Sequence, residues 1–78
     1  MDHRYDNEFR MLGLNIAFYR KMCGMTQLQL AEAVDISRTH MSNIEAANVN
    51  TRISIDLLFR LSEVLGVKPA DLLDFSRF

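Results

Sequence analysis

The sequence predicts an all-α fold of five short helices in a single domain, residues 1–78. Three observations carry that reading. Apolar residues recur at spacings of three and four along most of the chain, as in helices that bury one face. Capping residues and stop signals break that pattern into short segments. Only three Gly and one Pro leave little room for a β-rich or irregular chain. At 49% hydrophobic content, the 78 residues lie near the lower limit for a core that forms without disulfides or metal.

A first helix is expected from about Glu8 to Cys23, after a polar tail of residues 1–7. Phe9, Leu12, Ile16, Tyr19 and Met22 or Cys23 share one face, Asn15, Arg20 and Lys21 mostly fall elsewhere, and Gly24 supplies the stop. Thr26 reads as the N-cap of a second helix, and Gln29 three residues later completes a capping-box pattern. Leu30, Ala31 and Val34 form its inner face, with Ala31 small where two crossing helices come closest. Asp35 sits at a sharp turn that calls for φ > 0, where Gly is the cheapest residue and Asp or Asn the tolerated substitute. Ser37 caps a third helix with Met41 and Ile44 inward, and Ala46 to Arg52 is the one clear loop. Ser54 caps a fourth helix carrying Leu57, Leu58, Leu61, Val64 and Leu65, and Gly66 ends it. Pro69 opens a short fifth helix with Leu72 and Leu73. The core unit thus runs over residues 8–73, and residues 74–78, with Phe75 and Phe78, form a C-terminal tail.

Composition excludes several classes. A single cysteine, Cys23, cannot form an internal disulfide, and a reducing cytoplasm is the expected setting. No apolar run approaches the roughly 18 residues a membrane span needs, and the polar N-terminus is unlike a signal peptide. His3 and His40 have no acidic or cysteine partners at ligand spacing, so no metal is expected. Asp56, Glu63, Asp71 and Asp74 fall on outer helix faces without a nucleophile–base pair. Neither an enzyme, a cofactor nor a small-molecule ligand is expected. The formal charge of −1 argues mildly against nucleic acid. Acidic groups can cluster on a far side, however, and helix N-termini hold phosphates through their backbone N–H groups.

The stretch from Thr26 to Glu45 is the most informative. Two short helices joined by a tight turn leave Arg38, Thr39, His40, Ser42 and Asn43 outward on the second of the pair. A rigid pair that presents hydrogen-bonding side chains this way suits reading of a DNA major groove.

With Met25-Thr26-Gln27, Leu30-Ala31-Glu32, Ile36-Ser37, Met41-Ser42-Asn43-Ile44-Glu45 and Leu65-Gly66-Val67-Lys68-Pro69 in place, the chain resembles the phage-repressor (Cro-type, XRE-like) helix-turn-helix family from about Phe9 to Leu73. The resemblance implies a five-helix repressor-like domain whose helices 2 and 3 form the helix-turn-helix. It implies a sequence-specific transcriptional regulator of phage-repressor, restriction–modification controller or antitoxin type, a homodimer on a palindromic double-stranded DNA operator. One departure stands out: the family's usual turn glycine is Asp35 here. With helix 3 in the major groove, Arg38, Thr39 and Asn43 are expected at base edges, where Arg pairs with guanine and Asn with adenine. Gln27, Ser37, His40, Ser42, Asn48, Asn50, Thr51 and Arg52 are expected along the DNA backbone. The family pattern also implies a structural ion pair between Arg20 and Glu45. Leu72, Leu73, Phe75 and Phe78 exceed what so small a domain covers and are assigned to a dimer interface. The competing reading is a protein-interaction module on the same fold without DNA binding.

Overall fold

In a computed structural model, which describes residues 4–46 and 51–78, the chain forms α1 (Asp6–Met22), α2 (Gln27–Ala33), α3 (Arg38–Glu45), α4 (Ile55–Leu65) and α5 (Pro69–Leu72). No strand occurs among the described residues. Helix α1 is the central support: α3, α4 and α5 pack on it, while α2 packs on α3. It starts about two residues before the expected Glu8, with Asp6 and Glu8 in its first turn, where carboxylates complement the positive end of the helix dipole.

The punctuation residues act through local hydrogen bonds. Gln29 N–H donates to Thr26 Oγ1 at 3.1 Å, and Thr26 N–H donates back to Gln29 Oε1 at 2.8 Å, a complete capping box. Ser37 Oγ accepts from His40 N–H at 3.0 Å, and Ser54 Oγ from Leu57 N–H at 3.1 Å. Gly66 closes α4 in the left-handed conformation, φ 70° and ψ 30°. Pro69 occupies the first turn of α5. Asp35 takes φ 62°, the only non-glycine residue with positive φ among those described.

Leu12, Ile16, Leu30, Ala31, Val34, Met41, Ile44, Leu57, Leu58, Leu61, Leu65 and Leu72 form one continuous core, with Phe9, Tyr19, Met25, Val64 and Phe75 partly buried against it. Three sequence expectations need correction. Met22 is 72% exposed, because α1 ends as it leaves the core. Asn15 and Arg20, placed off the buried face, are both buried there, each with hydrogen-bond partners that replace water. Leu72, assigned to a dimer interface, is wholly buried in its own subunit and cannot meet a second one.

Asn15 explains how the C-terminus is held. Its Nδ2 donates to the carbonyls of Leu72 at 2.9 Å and Asp74 at 3.0 Å, the last residue of α5 and the second residue after it. Its Oδ1 accepts from Arg77, whose guanidinium lies 4.0 Å from the centroid of the Phe18 ring. Gly13 governs the opposite contact of α1. A Cβ at that position would collide with the backbone carbonyl of Ile44, so α3 crosses α1 only because no side chain is there.

Candidate nucleic-acid interface

The helix-turn-helix is built by α2, the turn Val34-Asp35-Ile36 and α3. Leu30, Ala31 and Val34 face Met41 and Ile44, leaving each helix only one buried side. Ile36 N–H donates to Ala31 O at 2.9 Å and Asp35 N–H to Glu32 O at 3.3 Å, which ties the turn back to α2. On α3 the burial alternates as a recognition helix requires. Met41 and Ile44 are buried, whereas Arg38, Thr39 and Asn43 are exposed on the other side. His40 and Ser42 are half-buried at the flanks, and Ser37, exposed, uses its oxygen as the cap.

One carboxylate near this face would repel phosphate, and it is neutralised. Glu45 receives Arg20 Nε at 2.7 Å and Nη2 at 2.9 Å, a two-pronged pair in which the Glu45 side chain is only 5% exposed. Arg20 Nη1 also donates to Met25 O at 2.8 Å, which fixes the loop between α1 and α2. Gln27 joins the same network, its Nε2 donating to Glu45 Oε1 at 3.1 Å. The side chain expected to meet phosphate is thus already oriented, with one amide hydrogen and Oε1 left over.

Arg52, expected along the DNA backbone, has partners within the chain. Arg52 lies over the Phe9 ring, 4.4 Å from its centroid, and 3.8 Å from Asp6 Oδ1. Its guanidinium is therefore held on the N-terminal turn of α1, and a phosphate would have to compete with Asp6. Thr51 is half-buried. Asn48 and Asn50 lie outside the described residues.

At the helix-turn-helix, sequence reasoning missed a contact from α4. Arg60 Nη1 on α4 donates to Val34 O, in the turn between α2 and α3, at 2.6 Å. The two residues are 26 positions apart, and no local pattern connects them. Among the described residues no group of His, Cys, Asp and Glu is arranged to hold a metal. An apolar cleft of about 240 Å³ opens between Glu8, Phe9, Leu12, Leu73 and Phe75, away from α3. Its lining offers a ligand almost no polar groups to fix an orientation.

Comparison with known proteins agrees with this geometry. The helix-turn-helix family model matches residues 16–72. The control protein C.BamHI of Bacillus amyloliquefaciens is 44% identical over 52 residues, covering 67% of this chain and 62% of that protein. The transcriptional regulator SinR of Bacillus subtilis is 39% identical over 64 residues, covering 82% of this chain and 57% of that protein. The crystal structure of SinR, the master regulator for biofilm formation, in complex with DNA superposes with a TM-score of 0.73 at 38% identity, over 81% of this chain and 98% of that one. The chain spans about three-fifths of the length of the curated relatives it matches. On the matched residues and the α2–turn–α3 geometry together, the chain belongs to the helix-turn-helix family.

Proposed function

We propose that this chain is a sequence-specific DNA-binding regulator of transcription, acting in the cytoplasm as a homodimer on a palindromic operator with α3 in the major groove. The observation that carries it is the outward face of α3. Arg38, Thr39 and Asn43 stand exposed over a buried Met41–Ile44 seam, and the one carboxylate of the helix is masked by Arg20. Arg38 and Asn43 offer the bidentate donors and acceptors that read guanine and adenine. Gln27 and the N-terminus of α2 would meet phosphate. The relatives support the reading, since one is named a control protein and the other a transcriptional regulator that was crystallised on DNA.

A second copy would dock on the apolar surface that remains exposed at the far end. Leu73 and Phe78 belong to it, and the α4 residues Ile55 and Phe59 add 65% and 53% exposed side chains that the sequence reading did not single out. Symmetric pairing there would set two α3 helices about 34–36 Å apart, one turn of DNA. The chain's net charge of −1, with Arg38 the only Lys or Arg on α3, favours one second reading: an interaction module that keeps the fold without DNA.

Selection from a random duplex pool at fixed salt, comparing wild type with Arg38→Ala, separates the two. The DNA reading expects a palindrome from wild type and relaxed preference at one position per half-site in the variant, at a cost of about 1–3 kcal/mol per contact. Absence of any enriched sequence, with weak retention that ignores salt, would overturn it.

A further inference from the structure

We propose that Arg60 is a positioning residue for DNA reading: from α4 it fixes the turn that aims α3. The inference rests on the DNA reading above and names a residue outside the groove face. Between Ala33, the last residue of α2, and Ser37, the cap of α3, only Val34, Asp35 and Ile36 set the angle between the helices. Asp35 holds φ 62° there, where a side chain is strained. The Val34 carbonyl is one of the acceptors left over at the end of α2. Arg60 Nη1 satisfies it at 2.6 Å, placing a cation at the negative end of the helix dipole.

Asp56 Oδ2, one helical turn before Arg60, lies 3.7 Å from its Nε, too far for a hydrogen bond, so the Val34 carbonyl is the partner that fixes the guanidinium. Helices α2 and α3 pack chiefly on each other and, through α3, on α1, while α4 packs on α5 and α1. Among the described residues, the Arg60–Val34 bond is the only side-chain hydrogen bond from α4 into the helix-turn-helix. Without it, Met41 and Ile44 still hold α3 to the core and two backbone bonds still tie the turn to α2, but the turn loses its tie to α4, and Arg38 and Asn43 shift with it. Phosphate contacts tolerate such a shift, whereas bidentate base contacts do not.

The test uses Arg60→Met, which keeps the apolar stem and removes the donors, beside Arg60→Lys and the double variant Arg60→Met/Asp35→Gly. Affinity for the selected operator and for unrelated duplex is measured at the same salt, each corrected for folded fraction. Arg60→Met should lose about tenfold on the operator and less than about twofold on unrelated DNA, a selective loss expected when base contacts are misaligned. Arg60→Lys should recover most of the loss, and Asp35→Gly part of it by easing the turn. Equal losses on both duplexes, or no recovery with lysine, would reduce Arg60 to a stabilising residue and overturn the proposal. Residual dipolar couplings of the free protein read the α3–α1 angle without DNA. A changed angle in Arg60→Met supports positioning even if the wild type selects no operator, and an unchanged angle refutes it.

Discussion

Two buried polar side chains on α1 hold opposite ends of the molecule, by different means. Arg20 grips the helix-turn-helix through a charged, two-pronged pair with Glu45 and a bond to the Met25 carbonyl. Asn15 grips the C-terminal end through two backbone carbonyls and the Arg77 guanidinium. The first link joins formal charges away from water, so losing either partner strands the other. The second runs through a neutral amide, to two carbonyls and to the cation of Arg77, next to the exposed residues Asp74 and Arg77, where water can replace what is lost. The helix-turn-helix end is therefore braced rigidly, and the C-terminal turn is attached by bonds of ordinary strength.

The largest expected effect tests that contrast at its strong end. Arg20→Ala should cost about 3–5 kcal/mol, because Glu45 would stay buried without its cation. Against a total stability of about 4–12 kcal/mol for a domain this size, that is a large fraction of the whole. Replacing both partners by Met should recover most of the loss. Urea midpoints for wild type, Arg20→Met, Glu45→Met and the double variant measure the coupling, and single-variant losses below about 1 kcal/mol would show the pair to be screened like a surface bridge.

Gly13→Ala comes next. Alanine favours a helix interior over glycine by about 1 kcal/mol, yet its Cβ would meet the Ile44 carbonyl. Backbone crowding should win, with a net loss of about 2 kcal/mol, and α3 should shift enough to weaken operator binding in the molecules that remain folded. A stabilised variant would mean that the α1–α3 crossing opens easily. Asn15→Ala should cost somewhat less, about 1–2 kcal/mol, since the buried Leu72 carbonyl loses its donor while the Asp74 carbonyl can turn to water. It should leave sequence preference untouched and raise amide exchange after Leu72. Operator selectivity that falls with Asn15→Ala would join the two ends into one unit and erase the contrast.

The local caps and turns were legible in the sequence and the contacts that span the chain were not, for reasons of distance and length. Thr26 with Gln29, Ser37, Asp35 and Ser54 act on groups within three residues of themselves, so their types and spacing suffice. The Arg20–Glu45 pair spans 25 positions and was expected only through the family resemblance. Asn15 bonds to carbonyls 57 and 59 residues away, which every residue type possesses, so nothing in the chain announces them. Leu72 was misplaced because α5 has four residues, too few for periodicity to tell its inner from its outer side. Gly13 carries no signal of its role in the sequence, since its neighbour is a backbone oxygen rather than a recognisable side chain.

The smallest effect belongs to Asp74, which holds the last turn from outside. The hydrogen bonds it receives from Ser76, aided by the nearby Arg77 charge, keep its carboxyl below the usual carboxylate range. A lowered folded-state value means that the charged form is favoured by folding. Its contribution is therefore fully present above the unfolded value, about 3.9, and fades as pH falls below it. Asp74→Asn keeps an acceptor oxygen for Ser76 but removes the charge, so it should be slightly less stable than wild type at pH 6. That gap should close as both proteins are taken below pH of about 4, where the wild-type carboxyl is itself neutralised. The effect should be confined to the tail: Ser76 and Arg77 amide shifts follow the titration while those of Arg38 to Asn43 do not. A gap that persists at low pH would assign the loss to geometry rather than charge. Movement of the α3 resonances would show that the two ends of α1 communicate after all.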